Sequence, residues 1–149
     1  MTKEFNSFEE IKKYYDEKSN TYIFKENDEM IDLVKFKFDL DVEANIDAGC
    51  IEALNINAIN IKAWNVYTRD LDAYDIVAWD VYSLDIYACN IEAYNIKARN
   101  ISYFAVCFAY ENIKCKSIKG RRENAKHFVL DGKLEMIEYK LLKEILEND

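Results

Sequence analysis

Proline is absent from the 149 residues, glycine occurs three times and histidine once. With so few chain breakers, no linker is marked, and no glycine-rich loop of the kind that cradles phosphate is present. The only histidine, His127, stands near the C-terminus with no Ser-His or Cys-His pairing visible, so nucleophilic catalysis finds no support and a non-enzymatic protein is expected. Four cysteines, at positions 50, 89, 107 and 115, lack CxxC spacing. They read as small core-filling residues in a reducing compartment, with no metal and no cofactor expected. No apolar run approaches the ~20 residues that span a bilayer, and no charged-then-apolar leader opens the chain. A soluble cytoplasmic protein forming one domain is therefore expected, in the host cytoplasm if phage-encoded.

What the chain has instead is a five-residue phrase, written thirteen times between Asn45 and Ala109: Asn or Asp, an aliphatic residue, any residue, a small residue, any residue. The aliphatic position is held by Ile46, Ile51, Ile56, Ile61, Val66, Leu71, Ile76, Val81, Ile86, Ile91, Ile96, Ile101 and Val106. The small position is Ala from Ala48 to Ala98, with Thr68 and Ser83 as the two exceptions. A period of five matches neither the 3.6 of a helix nor the 2 of a flat strand, so a repeat architecture is implied. The aliphatic and small residues lie two apart and point the same way on an extended segment, while Asn or Asp suits a corner. Short sides joined by corners make a coil whose stacked turns exchange backbone hydrogen bonds about 4.8 Å apart.

These units resemble the pentapeptide-repeat family, although there the small residue usually precedes the large one, whereas here Ala53 follows Ile51 and Ala73 follows Leu71. The resemblance implies an all-β solenoid, a right-handed quadrilateral β-helix in which every twentieth residue stacks. Residues 41–121 would give about four turns, since the pattern resumes at Asn112 and Ser117 after a two-residue phase shift.

Residues 1–40 are expected to cap one end. Ser7 and Glu10 form a capping-box pattern, and Phe8, Ile11 and Tyr15 share a face of a helix over about 8–18. Alternation from Leu33 through Phe36, Phe38, Leu40 and Val42 predicts a strand leading into the repeats. Residues 122–149 are expected to close the other end, with a hairpin turning at Asp131-Gly132 and an amphipathic helix through Met136, Tyr139, Leu142 and Ile145.

Function is expected on the outward third and fifth positions. Stacking at twenty aligns Glu52, Asp72 and Glu92 in an acidic column. It also produces walls containing Trp64, Trp79, Tyr74, Tyr94, Tyr67 and Tyr87, large enough to suggest a partner or a second copy. The corner run Asp70, Asp75, Asp80, Asp85 would ring one turn with carboxylates. Residues 41–112 hold eleven acids against four bases, and the formal net charge of −8 argues against direct nucleic-acid binding. An acidic rod of this kind fits the basic groove of a nucleic-acid-handling enzyme, and the best understood members of the resembled family mimic DNA and bind gyrase. The segment Lys116 to Asn124 looks like that of uncharacterised phage and prophage proteins, which points to an anti-defence inhibitor. The alternative is an oligomeric protein that holds a phosphate-bearing nucleotide at the basic end through Lys119, Arg121, Arg122 and His127.

Overall fold

The computed structural model describes residues 1–137. The chain runs β1 (Thr2–Phe5), a 3-10 helix (Phe8–Tyr14), β2 (Tyr15–Asp16), β3 (Thr21–Ile23), β4 (Lys25–Glu26), β5 (Glu29–Met30), β6 (Leu33–Phe36) and β7 (Leu40–Asp41). It continues through β8 (Asn45–Asp47), β9 (Cys50–Asn57), β10 (Asn60–Lys62), β11 (Asn65–Asp72), β12 (Asp75–Val77) and β13 (Asp80–Cys115). β14 (Ser117–Gly120), β15 (Lys126–Val129) and β16 (Leu134–Met136) follow. The result is a β-solenoid of about six turns.

The register gives the cross-section. Ile46 lies against Ile61 and Ile61 against Ile76, which meets Ile91. Ile51 lies against Val66 and Val66 against Val81, and on the third side Ile56, Leu71 and Ile86 align in the same way. Partners are fifteen residues apart, so one turn is three pentads and the coil has three sides. The quadrilateral section with stacking at twenty is therefore corrected, and with it the count of four turns. A five-residue period fixes the length of a side and leaves the number of sides open. The backbone register decides it: each side contributes one Ile, Val or Leu and one small residue, and the same side returns after fifteen residues. The inward aliphatics from Ile46 to Ile101 are at most 2% exposed.

Insertions lengthen the last turns step by step. Tyr94 packs on Tyr110, sixteen residues on, Ile101 meets Ile118, seventeen on, Val106 meets Lys126, twenty on, and Ile113 meets Leu134, twenty-one on. After Ile101 the inward residues are Tyr103, Ala105, Cys107 and Ala109, so Val106, expected inside, is only half-buried. Burial raises the thiols of Cys107 and Cys115 to about 12 and about 11 respectively, which keeps them protonated within the core. All four cysteines are free thiols.

The N-terminal residues build coil as well as cap. β1 pairs in parallel with β6, β6 with β9, and β3 with β8, which adds rungs below the repeats. The expected helix over 8–18 is a shorter 3-10 helix, ending where Tyr15 turns extended. In that geometry residues three apart eclipse, so Phe8, Ile11 and Tyr14 share a face: Ile11 and Tyr14 are buried, Phe8 at the open first turn packs edge-on against Tyr22 while staying exposed, and Tyr15, beyond the helix, faces out. The Ser7 side chain makes no capping bond, but Glu10 Oε2 accepts from Asn6 N–H at 3.0 Å. Tyr14 joins Phe5, Phe24 and Phe36 in a plug of rings 5.3–5.6 Å apart that closes this end of the bore. At the other end β14, β15 and β16 each pair in parallel with β13. The expected hairpin is thus replaced by further coil, because β15 and β16 lie on different sides. Met136 ends β16, and the helix expected through Tyr139, Leu142 and Ile145 lies outside the described residues.

Candidate functional site

A fifteen-residue turn rearranges every outward column. The predicted acidic column dissolves: Glu52 is on the second side, Asp72 on the third and Glu92 on the first. The predicted girdle also changes. Asp70, Asp75 and Asp80 occupy the three corners of one turn, and Asp85 begins the next turn directly against Asp70.

The corners form amide ladders, and the aspartates interrupt them. Asn60 Nδ2 donates to Asn45 Oδ1 at 3.0 Å, and Asn55 Nδ2 to Asp39 Oδ1 at 2.9 Å. In the following turns Asn90 donates to Asp75, Asn95 to Asp80 and Asn100 to Asp85, at 2.9–3.0 Å. Each ladder bond runs from a later turn to an earlier one, so a carboxylate accepts from above and has nothing to donate below. Asn65 Oδ1, one rung beneath Asp80, is buried and has no hydrogen-bond partner among the described residues. At Asp85, burial opposes ionisation, but hydrogen bonds from Arg99 (2.7 Å to Oδ2) and Asn100 outweigh it and lower the carboxyl below its usual range.

The third side carries an acidic groove of about 370 Å³, lined by Asp39, Leu40, Asp41, Asn55, Ile56, Asn57, Asp70 and Asp72. Its register follows from Asp41 lying against Asn57 and Asn57 against Asp72. No base lines it. Of the predicted acids, Asp70 and Asp72 share this groove; Asp39 precedes the repeats and Asp41 opens the short first unit, and neither falls in a column when turns are taken as twenty residues. Farther along the same side the charge reverses. Lys119 lies against Ser102, and Arg121 stacks 3.8 Å above Tyr87. Arg121 also donates to the Ser102 carbonyl and hydroxyl and to the Ala88 carbonyl at 2.8–3.1 Å. Arg122 lies over Phe104, and His127 Nδ1 is 2.6 Å from the Tyr103 hydroxyl. The four predicted anion-binding residues are thus spread over two sides, with the Arg121 guanidinium bonded within the chain.

The aromatic residues fall into different columns from those predicted. Trp64 and Trp79 stack with centroids 5.8 Å apart and planes 12° from parallel, and Tyr94 and Tyr110 continue the column. Tyr67 packs on Tyr82 on the second side, 5.2 Å apart, with Lys97 over the Tyr82 ring. Tyr74 is exposed at the corner between the third and first sides. The tryptophan column borders a groove of about 500 Å³ on the first side, whose far end is lined by Lys25 and Met30.

The fold and surface define a β-solenoid with one acidic groove and one aromatic wall. Comparison of the chain with known protein families, curated proteins and solved structures finds no match. No helix among the described residues is long and apolar enough to cross a membrane, and no group of three or more His, Cys, Asp or Glu among them is arranged to hold a metal ion.

Proposed function

We propose that this is a non-enzymatic binding protein of the pentapeptide-repeat type, whose acidic third side occupies a basic groove of a nucleic-acid-handling or defence enzyme, as a phage-type inhibitor acting in the host cytoplasm. The observation that carries the reading is the spacing of the groove carboxylates. Asp39 and Asp41 stand two rungs from Asp70 and Asp72, which at the strand spacing is about 10 Å, so the groove presents two carboxylate pairs in fixed register with no base among its lining residues. Clustered unneutralised acid of this kind complements a basic groove built to hold phosphates. A rigid coil holds these charges without any ordering on binding, which favours affinity.

The chain's own energetics support the reading. Asn at positions 70, 75 and 80 would continue the ladders that the aspartates break, so the acid is not placed there to stabilise the coil. The experiment is capture of partners from host lysate with the wild type and with Asp39→Asn/Asp41→Asn/Asp70→Asn/Asp72→Asn, followed by elution with salt or duplex DNA. The wild type should retain an enzyme that both salt and DNA release, since exposed charge pairing is screened and DNA competes for the same groove. The variant should retain none. Equal retention by both proteins overturns the reading.

A further inference from the structure

The first side holds a wall that the acidic-groove reading does not use. Seven strands cross it in register: β3, β8, β10, β12, two segments of β13 and finally β15. β12 is the middle one. Its outward residue, Val77, is 44% exposed, as is much of its surroundings: Trp79, Tyr94 and Phe128 are 45–55% exposed. Two open grooves meet at Val77 and Glu92, the one beside the tryptophans and one of about 530 Å³ lined by Val106, Phe108 and Phe128. Exposed aromatic and aliphatic side chains gathered on one face suit a protein contact.

Its charges nearest the centre are one of each sign. Lys62 lies one rung before Val77 and Glu92 one rung after it, with Asp47 one rung farther out beside Lys62. Lys62 and Glu92 both point outward, and neither forms an ion pair with a described residue. They are two rungs apart, about 10 Å, too far to pair across Val77. A two-fold axis parallel to β12, lying between two facing walls, inverts the order of rungs and keeps each rung's direction. It sets Val77 on Val77, Lys62 on Glu92 and Glu92 on Lys62, brings Asp47 on β8 opposite Phe108, and Ile23 on β3 opposite Phe128 on β15. The tryptophan columns then meet along one margin. We infer that the wall is an isologous dimer interface, whose occupant is a second, inverted copy of this chain held by two reciprocal Lys62–Glu92 pairs around an apolar centre.

This inference is independent of the acidic groove, which faces a different side, and loss of the dimer leaves that reading standing. Sedimentation velocity tests it. The wild type should be a dimer at micromolar concentration that dissociates on dilution. Lys62→Glu places four acids at the two pairs and Glu92→Lys four bases, so each variant alone should weaken association about a hundredfold or more and sediment as a monomer. Mixing the two should restore the dimer, because each pair then joins a Glu to a Lys across the interface. Val77→Arg, which sets like charges on the axis, should give monomer with unchanged circular dichroism. A monomeric wild type overturns the inference and leaves the wall to another protein or to a segment of this chain beyond residue 137. Single reversals that stay dimeric, or a mixture that stays monomeric, also overturn it. Dilution of the wild type needs no variant, so a misfolded variant leaves the inference testable.

Discussion

Replacing both Asp75 and Asp80 with Asn should stabilise the coil. Each new side-chain amide would sit one rung above an Asn whose Oδ1 faces a carboxylate: Asn60 beneath Asp75 and Asn65 beneath Asp80. The geometry already exists in the chain, where Asn60 donates to Asn45 at 3.0 Å. Position 75 would still accept from Asn90, and position 80 from Asn95. One added hydrogen bond contributes about 0.5–1.5 kcal/mol net, and relieving a buried unpaired acceptor such as Asn65 Oδ1 lies at the upper end. The pair should therefore contribute about 1–3 kcal/mol, a rise in Tm on the order of 5 °C for a chain of this size. Lowering a net charge of −8 by two also reduces self-repulsion. The control is Asp47→Asn/Asp72→Asn, which removes the same charge from outward positions that belong to no ladder. Thermal and urea unfolding of the three proteins separate the effects. A control that gains as much as the ladder variant refutes the reasoning, as does a ladder variant that gains nothing.

Three further perturbations probe other parts of the molecule. Tyr103→Ala returns the small residue found in eleven successive units, yet should destabilise by about 3–5 kcal/mol in urea melts, because the ring is 1% exposed and fills the bore; Tyr103→Phe, which loses only the contact to His127, should cost about 1 kcal/mol. Gly49→Ala should lower Tm, since its Cβ would stand 2.5 Å from the Ile31 carbonyl and 3.2 Å from the Trp64 ring; overpacking of this kind costs about 1–3 kcal/mol, and an unchanged Tm would show that the Ile31 loop yields freely. The Glu26 carboxyl is held down to about 2, from the ordinary 4.5, by hydrogen bonds from Tyr14 and then Lys3. A depressed folded pKa contributes stability above the unfolded value that is lost as pH falls through the folded one. The N-terminal plug should therefore loosen between about pH 4.5 and pH 2, seen in near-ultraviolet circular dichroism, and Glu26→Gln should flatten that transition.

The solenoid, the corners and the inward Ile and Ala positions were legible because each is restated every five residues. The number of sides was not, since any whole number of pentads closes a turn. A signal for it did exist. The two departures from Ala at the small position, Thr68 and Ser83, are fifteen apart and stack. Each hydroxyl shares its single proton between the carbonyl fourteen residues before and the one two residues after. Trp64 and Trp79, and Tyr67 and Tyr82, share that spacing. Exceptions to a repeat carry its longer period, whereas the repeat itself does not. The caps were read less well because they are written in no repeat: β1 and β6 join the coil through pairing across thirty-one residues, which local pattern does not reveal. The site suffered from the same cause. Each acid and each aromatic was correctly placed outward, but a turn of twenty grouped them in the wrong columns, hiding both the Asp39–Asp72 groove and the wall around Val77.

Every surface described above depends on the fifteen-residue turn, and disulfide trapping measures it directly. With Cys50 and Cys89 replaced by Ala, Tyr67→Cys/Tyr82→Cys places two thiols on facing residues of adjacent rungs, about 4.8 Å apart at the backbone and within the 4.4–6.8 Å that a disulfide spans. Lys62→Cys/Tyr82→Cys places them twenty apart in sequence and on different sides of the coil. Mild oxidation should cross-link the first pair within one chain and leave the second reduced. Cross-linking of the second pair with the first left reduced would contradict the three-sided coil and the surfaces built on it.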